Sequence, residues 1–229
     1  MTLSKNPFVA VLDLLRSPID CFAAIYERPK WAFIPYLIII LSPFFMWFSY
    51  FDNVDMVWLQ QTLLAQLSNN GQLIEQDWLT KDVLIAGEIF SDIFGRTVCI
   101  FVLALWLNLS TKGNRYKHSY GKWLAATCFI MLPTFVGDIA SLTNIIFNTN
   151  NIMPNAADLN SLNGLLKLPL NHPWTAFTTT VPLLAPWYIA LTYTAVAAWT
   201  DFDRAKAIIV AILPWLLTLI IWPVMILVA

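Results

Sequence analysis

Charged residues are scarce in this sequence. Asp, Glu, Lys and Arg together make up 12% of the 229 residues, whereas a soluble domain usually carries about a quarter. Hydrophobic residues reach 59%, which excludes an ordinary soluble domain. The net charge of -1 also lacks the basic excess typical of nucleic-acid-binding proteins. We therefore expect a protein whose first partner is the lipid bilayer and which binds no nucleic acid.

Cysteine and histidine are also few, and their spacing forms no ligand motif. The three cysteines are Cys21, Cys99 and Cys128, with no CxxC pair, and His118 and His172 lie far apart. This pattern predicts packing cysteines in the reduced state rather than a disulfide framework or a metal site. With no catalytic motif either, we expect a protein without cofactor, metal ion or enzymatic activity.

What the sequence does contain is long hydrophobic runs. Five of them approach or exceed the ~20 residues that a membrane-spanning helix needs. The sequence therefore predicts an all-α bundle of five transmembrane helices. The predicted spans cover about residues 31–51, 83–109, 122–147, 174–200 and 205–228. The connections 52–82 and 148–173 are expected to be loops that carry interfacial helices.

The basic residues predict the orientation of these spans. Ten of the 13 lysines and arginines lie in the N-terminal segment, the second connection and the last connection. Only Lys81 and Lys167 lie on the other side, and Arg96 lies within a span. Because basic residues concentrate on the cytoplasmic side, the N-terminus is expected to be cytoplasmic and the C-terminus outside. The first thirty residues lack an uninterrupted apolar region, so no cleavable signal peptide is expected.

Residues 1–30 are predicted to form a cytoplasmic amphipathic segment before the five-span domain, residues 31–229. Ser17 is suited to an N-cap, Pro18 to the first helical position, and Asp20 to a capping-box-like arrangement. Pro29 discourages helix at the residue before it. The expected docking face of this helix consists of Ile19, Phe22, Ala23 and Tyr26.

Ionisable residues inside the spans are the most informative feature. Glu88, Asp92 and Arg96 are spaced i, i+4 and i+8, so they share one stripe of the second span. Asp138 lies in the third span. At 1.5 Å per residue, Asp92 and Asp138 each lie roughly 13 Å from the outer end of their span, and Arg96 roughly 20 Å. Because an unpaired arginine near the midplane is costly, we expect Arg96 to pair with Asp92 and Asp138.

Small residues accompany these charges. Gly87, Ser91 and Gly95 follow the same i, i+4, i+8 spacing, and Gly137 and Ser141 are four residues apart. Small residues at this spacing let membrane helices approach closely. They are therefore predicted to be helix-packing positions, within the chain or between copies of it.

Three interpretations of the intramembrane polar cluster remain open. It is either a polar clasp between two spans, part of a path for protons, ions or a solute, or an aspartyl-protease dyad of Asp92 and Asp138. The third is disfavoured, because Arg96 would stabilise both carboxylates in the ionised form. Gly137-Asp138 also lacks the fuller G-x-G-D pattern of presenilin-like proteases.

Three strings resemble the Yip family of Ypt/Rab-interacting five-span membrane proteins, in its short bacterial form. They are "SPIDCFAAIYERPKW", "YGKWLAATCFIMLP" and "PWYIALTYTAVAAWTDFDRAKAIIVAILPW". "DIFGR" echoes the D-L-x-G-P of eukaryotic members, with Arg96 in place of proline. The resemblance implies a multi-pass protein of the bacterial inner membrane that binds or organises other membrane components. It supplies no catalytic residues, and small transporter or channel activity is the alternative.

Overall fold

The computed structural model describes residues 4–69, 76–113, 115–148 and 151–228, and these residues form helices and no β-strand. The chain divides into two compact units. Unit 1 contains residues 1–40, 95–133 and 185–220, and unit 2 contains 41–94, 134–184 and 221–229. The helices are α1 (Pro7–Arg16), α2 (Pro18–Glu27), α3 (Phe33–Asn53), α4 (Met56–Asn69), α5 (Lys81–Ser110), α6 (Tyr120–Ile130), α7 (Thr134–Phe147), α8 (Pro154–Ala157), α9 (Leu162–Leu166), α10 (Thr175–Thr180), α11 (Ala185–Trp199) and α12 (Arg204–Val228).

Four of the predicted spans coincide with helical segments long and apolar enough to cross a membrane. They are Pro29–Asn53, Lys81–Ser110, Tyr120–Phe147 and Arg204–Val228. The third is divided into α6 and α7 by a turn at residues 131–133. Pro133 supplies no backbone N–H for a continuous helix at that point.

The predicted continuous helix over Trp174–Thr200 is wrong. The chain forms α10 and α11 instead, with non-helical backbone at residues 181–184. Val181 is extended (φ -74°, ψ 114°), as expected for a residue that precedes a proline. Pro182 lacks an N–H donor, so the helical hydrogen bonds end there.

Unit 1 has a core in which α2 contacts α11 and α6. Phe22, Ile25, Trp123 and Tyr188 are almost fully buried there. The indole of Trp199 donates a hydrogen bond to the backbone oxygen of Phe22, with an N–O distance of 2.9 Å. This bond ties α2 to α11 and satisfies a buried indole donor.

Helix α2 begins where the sequence predicts, at Pro18, but its capping differs. The hydroxyl of Ser17 donates to the carboxylate of Asp20 at 2.7 Å and caps no backbone N–H. Phe22 is buried, whereas Ile19 is 49% exposed. The buried positions are Cys21, Phe22, Ala24 and Ile25, so the docking face is rotated from the predicted one.

Unit 2 has a core of aromatic and aliphatic residues from α3, α4 and α5. Its largest members are Met46, Trp47, Tyr50 and Phe51 of α3. The hydroxyl of Tyr50 donates to the backbone oxygen of Ile152 at 2.6 Å. This bond attaches the connection predicted at 148–173 to the core of unit 2; the connection carries the short helices α8 and α9, and their interfacial location stays a prediction.

Asparagine side chains hold residues 151–184 together. Asn163 is fully buried, and its amide donates to the backbone oxygen of Asn155 at 2.9 Å. Its oxygen accepts from the backbone N–H of Leu168 at 3.1 Å and from the hydroxyl of Thr178 at 3.1 Å. The asparagines in this Asn-rich segment thus satisfy buried polar groups.

Candidate functional site

The carboxylate of Asp138 is the most completely buried part of the predicted polar cluster, with 3% of the residue exposed. It lies on α7 in unit 2. It accepts hydrogen bonds from the hydroxyl of Ser42 on α3 and from the amide of Asn160, the latter at 2.6 Å. Two neutral donors from different segments therefore converge on this carboxylate, as a buried carboxylate requires.

Close approach of Asn160 to α7 depends on Gly137. A β-carbon at position 137 would collide with the amide group of Asn160. Four residues on, Ser141 is fully buried, and its hydroxyl accepts from the backbone N–H of Leu159 at 2.7 Å. The small residues of α7 thus allow the 151–184 segment to reach Asp138.

Glu88 and Asp92 of α5 line a cavity of about 230 Å³ within unit 2. The indole of Trp47 donates to the carboxylate of Asp92 at 2.7 Å. The same cavity is lined by Asp158, Asn155 and Ser161 of the 151–184 segment. It is therefore an acidic cavity with an aromatic wall, and Asp138 is not among its lining residues.

Arg96 of α5 lies in unit 1 and is 9% exposed. Its Nη1 donates to the backbone oxygen of Ile39 at 3.1 Å. In a regular helix this oxygen would accept from the N–H of residue 43, but Pro43 has none. Arg96 therefore donates to a carbonyl that cannot accept the usual helical hydrogen bond from residue 43. Pairing of Arg96 with Asp92 and Asp138 stays a prediction.

A second proline, Pro214 of α12, is compensated in the same way within unit 1. Pro214 in α12 cannot donate to the carbonyl of Val210. The indole of Trp106 donates to that oxygen at 2.9 Å. Trp106 lies on α5, the helix that also carries Arg96. Helix α5 thus supplies a side-chain donor to each of two proline-containing helices.

The small residues of α5 face outward. Gly87, Ser91 and Gly95 are exposed, and a methyl group at Gly87 or Gly95 would meet no atom of the described residues within 4 Å. Within the described chain, α5 therefore packs on no neighbour along this stripe. That this stripe is a helix-packing face stays a prediction, and the helix that packs on it would have to come from a second molecule.

His118 belongs to an aromatic cluster in unit 1. Its Nε2 donates to the backbone oxygen of Trp199 at 2.6 Å, and the ring meets those of Tyr26 and Trp123 edge-on. Its Nδ1 is buried without a hydrogen-bond partner among the described residues. Burial, with the charge of Lys122, lowers the pKa of His118, although the bond to Trp199 opposes this. The ring is therefore held in its neutral Nε2–H form.

Sequence reasoning missed the neutral partners of the acidic residues: Ser42, Trp47 and Asn160. Trp47 carries a recognisable signal, since a buried indole N–H needs an acceptor. Nothing distinguishes Asn160 from its neighbouring asparagines in the sequence. Among the described residues, no group of three or more His, Cys, Asp or Glu residues is arranged to hold a metal ion.

Apolar helices of spanning length, with polar groups that are satisfied inside the protein, define a multi-pass membrane protein. The particular family follows from comparison with known families. Residues 12–225 match the model of the Yip1 domain, and the chain therefore belongs to the Yip1 domain family. Comparison with curated proteins and with solved structures gave no significant match.

Proposed function

We propose that the protein is a non-enzymatic, five-span protein of the bacterial inner membrane that binds or organises other membrane components. Its N-terminus is cytoplasmic and its C-terminus outside. The observation that carries the proposal is the exposed stripe of Gly87, Ser91 and Gly95 on α5. A small-residue face that is open in the chain suits close packing against another membrane helix, from a second copy or another protein.

The five-span count requires the fourth crossing to be composite. The 15 residues of α11 extend roughly 22 Å at 1.5 Å per residue, less than the ~30 Å of a bilayer core. Within unit 2, the backbone N–H of Leu183 donates to the oxygen of Asn160 at 2.8 Å, and the oxygen of Val181 accepts from the N–H of Leu162 at 2.8 Å. Protein contacts of this kind permit non-helical backbone at membrane depth.

Crosslinking in native membranes tests the association face. Ser91→Cys should give a crosslinked species, while Ala86→Cys, also exposed but about 140° away around the helix, should not. Gly87→Leu in the Ser91→Cys background should lower the yield, because leucine prevents close approach. Absence of crosslinking in the Ser91→Cys variant, with the protein at normal abundance, would contradict the proposal. Mass spectrometry of the product separates a second copy from another protein.

We further propose that Asp138, Arg96 and Asp92 act as a polar clasp that holds membrane helices in place. Asp138→Asn and Arg96→Leu should each destabilise the protein, and the double variant should lose less than the sum of the two. Unfolding in detergent measures this coupling. Strict additivity would exclude a direct Arg96–Asp138 interaction.

The cavity lined by Glu88 and Asp92 favours a second candidate, a small transporter or channel. Glu88→Gln and Asp92→Asn should then abolish proton or solute flux in proteoliposomes while leaving unfolding temperatures near that of the parent. Equal flux in the variants and in the parent would exclude this use of the cavity. Destabilisation without any flux in the parent favours the clasp.

A further inference from the structure

An open apolar cleft of about 290 Å³ lies within unit 1. Its volume is near the lower end of the ~300–1,000 Å³ range of small-molecule sites. It is bordered by the beginning of the first spanning segment, the middle of α5 and the first turns of α6. Its lining includes Pro29, Phe33, Tyr36, Phe101, Gly121 and Cys128. The walls are largely aliphatic and aromatic, so the cleft is suited to an apolar chain.

The cleft extends from the basic ends of the membrane helices into their apolar parts. Pro29 and Gly121 lie at the ends of their spanning segments. Phe101 lies nine residues inside the end of α5 at Ser110, roughly 14 Å along the helix. An occupant would therefore have one end near the membrane interface and its other end at acyl-chain depth.

Three basic residues are sequence neighbours of the residues that line the interfacial end of the cleft. Arg28 and Lys30 flank Pro29, and both are exposed. Lys122 follows Gly121, and its Nζ lies 3.3 Å from the ring centroid of Tyr26. Glu27, the residue before Arg28, is acidic and exposed. The N-terminus of α6, whose cap residue Ser119 makes no side-chain hydrogen bond to it, adds partial positive charge.

We propose that this cleft binds an anionic phospholipid. One acyl chain occupies the apolar part, and the phosphate lies among Arg28, Lys30 and Lys122. Arginine has five N–H donors in a geometry that suits phosphate, and the bond from the Nη1 of Arg28 to the backbone oxygen of Ser4, at 3.3 Å, uses one of them. This proposal depends on the membrane location of the chain and is independent of the proposed association face of α5. Its assignment to the cytoplasmic leaflet rests on the proposed orientation.

Gly121 allows the cleft to be filled without disturbing the protein. A β-carbon there would meet no atom of the described residues within 4 Å, and leucine is a better helix former than glycine. Native mass spectrometry of the detergent-solubilised full chain should show one retained phosphatidylglycerol per monomer. Gly121→Leu should lose it. Gly113→Leu, the same change at an exposed glycine outside both the cleft and the α5 stripe, should retain it.

Headgroup charge provides the second arm of the test. Phosphatidylglycerol should bind about tenfold more tightly than phosphatidylcholine with the same acyl chains, since each nearby basic residue favours an anionic lipid. Arg28→Gln with Lys30→Gln should remove this preference, whereas Lys112→Gln with Arg115→Gln, an equal loss of charge in the second connection, should leave it. Equal affinity for both lipids would overturn the proposal, as would undiminished binding to Gly121→Leu.

Discussion

At the scale of single residues, the buried polar side chains depend on neutral partners as well as on charges. Asp138 accepts from Ser42 and Asn160, and Asp92 accepts from Trp47. Hydroxyl, amide and indole donors supply part of the hydrogen bonding that a carboxylate needs in an apolar medium. The contribution of Asp138 to stability can thus be tested by substitutions that displace its donor Asn160, such as a change at Gly137.

Gly137→Ala should destabilise the protein by about 1–3 kcal/mol, the usual cost of forcing extra atoms into a packed site. The added methyl group collides with the amide of Asn160 and displaces it from Asp138. Thermal unfolding in detergent measures the change. Gly87→Ala is the matched control, since its site is open, and it should be neutral or slightly stabilising. Equal stability of both variants would show that Asn160 shifts without loss.

His118 should make stability depend on pH. Since burial lowers the pKa of the folded-state ring below its ordinary value of 6.5, the unfolded chain takes up the proton at a higher pH than the folded chain. The stabilisation is therefore complete above pH 6.5 and is lost as the pH falls below it. Unfolding temperatures measured from pH 7.5 to 5 should decrease. His118→Gln should flatten this decrease, while His172→Gln at an exposed position should leave it unchanged; identical slopes would be inconsistent with a role for His118.

At the scale of helices, α5 supplies side-chain hydrogen-bond donors to backbone carbonyls of α3 and α12. Its Arg96 and Trp106 donate to the carbonyls of Ile39 and Val210, which cannot accept a helical hydrogen bond from Pro43 and Pro214. An unsatisfied carbonyl in a lipid environment is costly. The prolines of α3 and α12 are therefore tolerated because α5 supplies the missing donors.

Replacing Trp106 by phenylalanine should destabilise the protein by about 1–3 kcal/mol, because the Val210 oxygen loses its donor. In a Pro214→Ala background the same replacement should cost less, since the introduced alanine supplies the backbone N–H. A double-mutant cycle from detergent unfolding measures the difference. Trp174→Phe, at a half-buried indole on another helix start, serves as a control with no expected coupling to Pro214. Additive effects of Trp106→Phe and Pro214→Ala would contradict the shared carbonyl.

The sequence predicted the helical segments correctly where the length of a hydrophobic run is enough to identify them. The runs at 31–51, 83–109, 122–147 and 205–228 each lie within a spanning helical segment, since length and apolarity alone determine such segments. The run at 174–200 does not form one continuous helix because Pro182 interrupts it, and a hydropathy count does not register a missing N–H. Contacts such as Asn160 with Asp138 join positions 22 residues apart, which no local pattern specifies.

At the scale of the whole molecule, the orientation is testable by thiol labelling. Cys21 is fully buried, and burial, with the charge of Asp13, raises the pKa of its thiol to about 12. The native protein should therefore react little with an impermeant maleimide, which makes it the control. Lys112→Cys should be labelled only when the cytoplasmic face is accessible, and Asn171→Cys should be labelled in intact cells. The reverse pattern would invert the proposed topology.

The two carbonyls satisfied by α5 have a consequence for biogenesis. During synthesis α3 enters the membrane before α5 exists, so the oxygen of Ile39 has no donor from Arg96 at that stage. Helix α12 is made last, when Trp106 is already in place for Val210. The bond from Arg96 to Ile39 can therefore form only after α5 has been made, whereas the indole of Trp106 is present when α12 arrives.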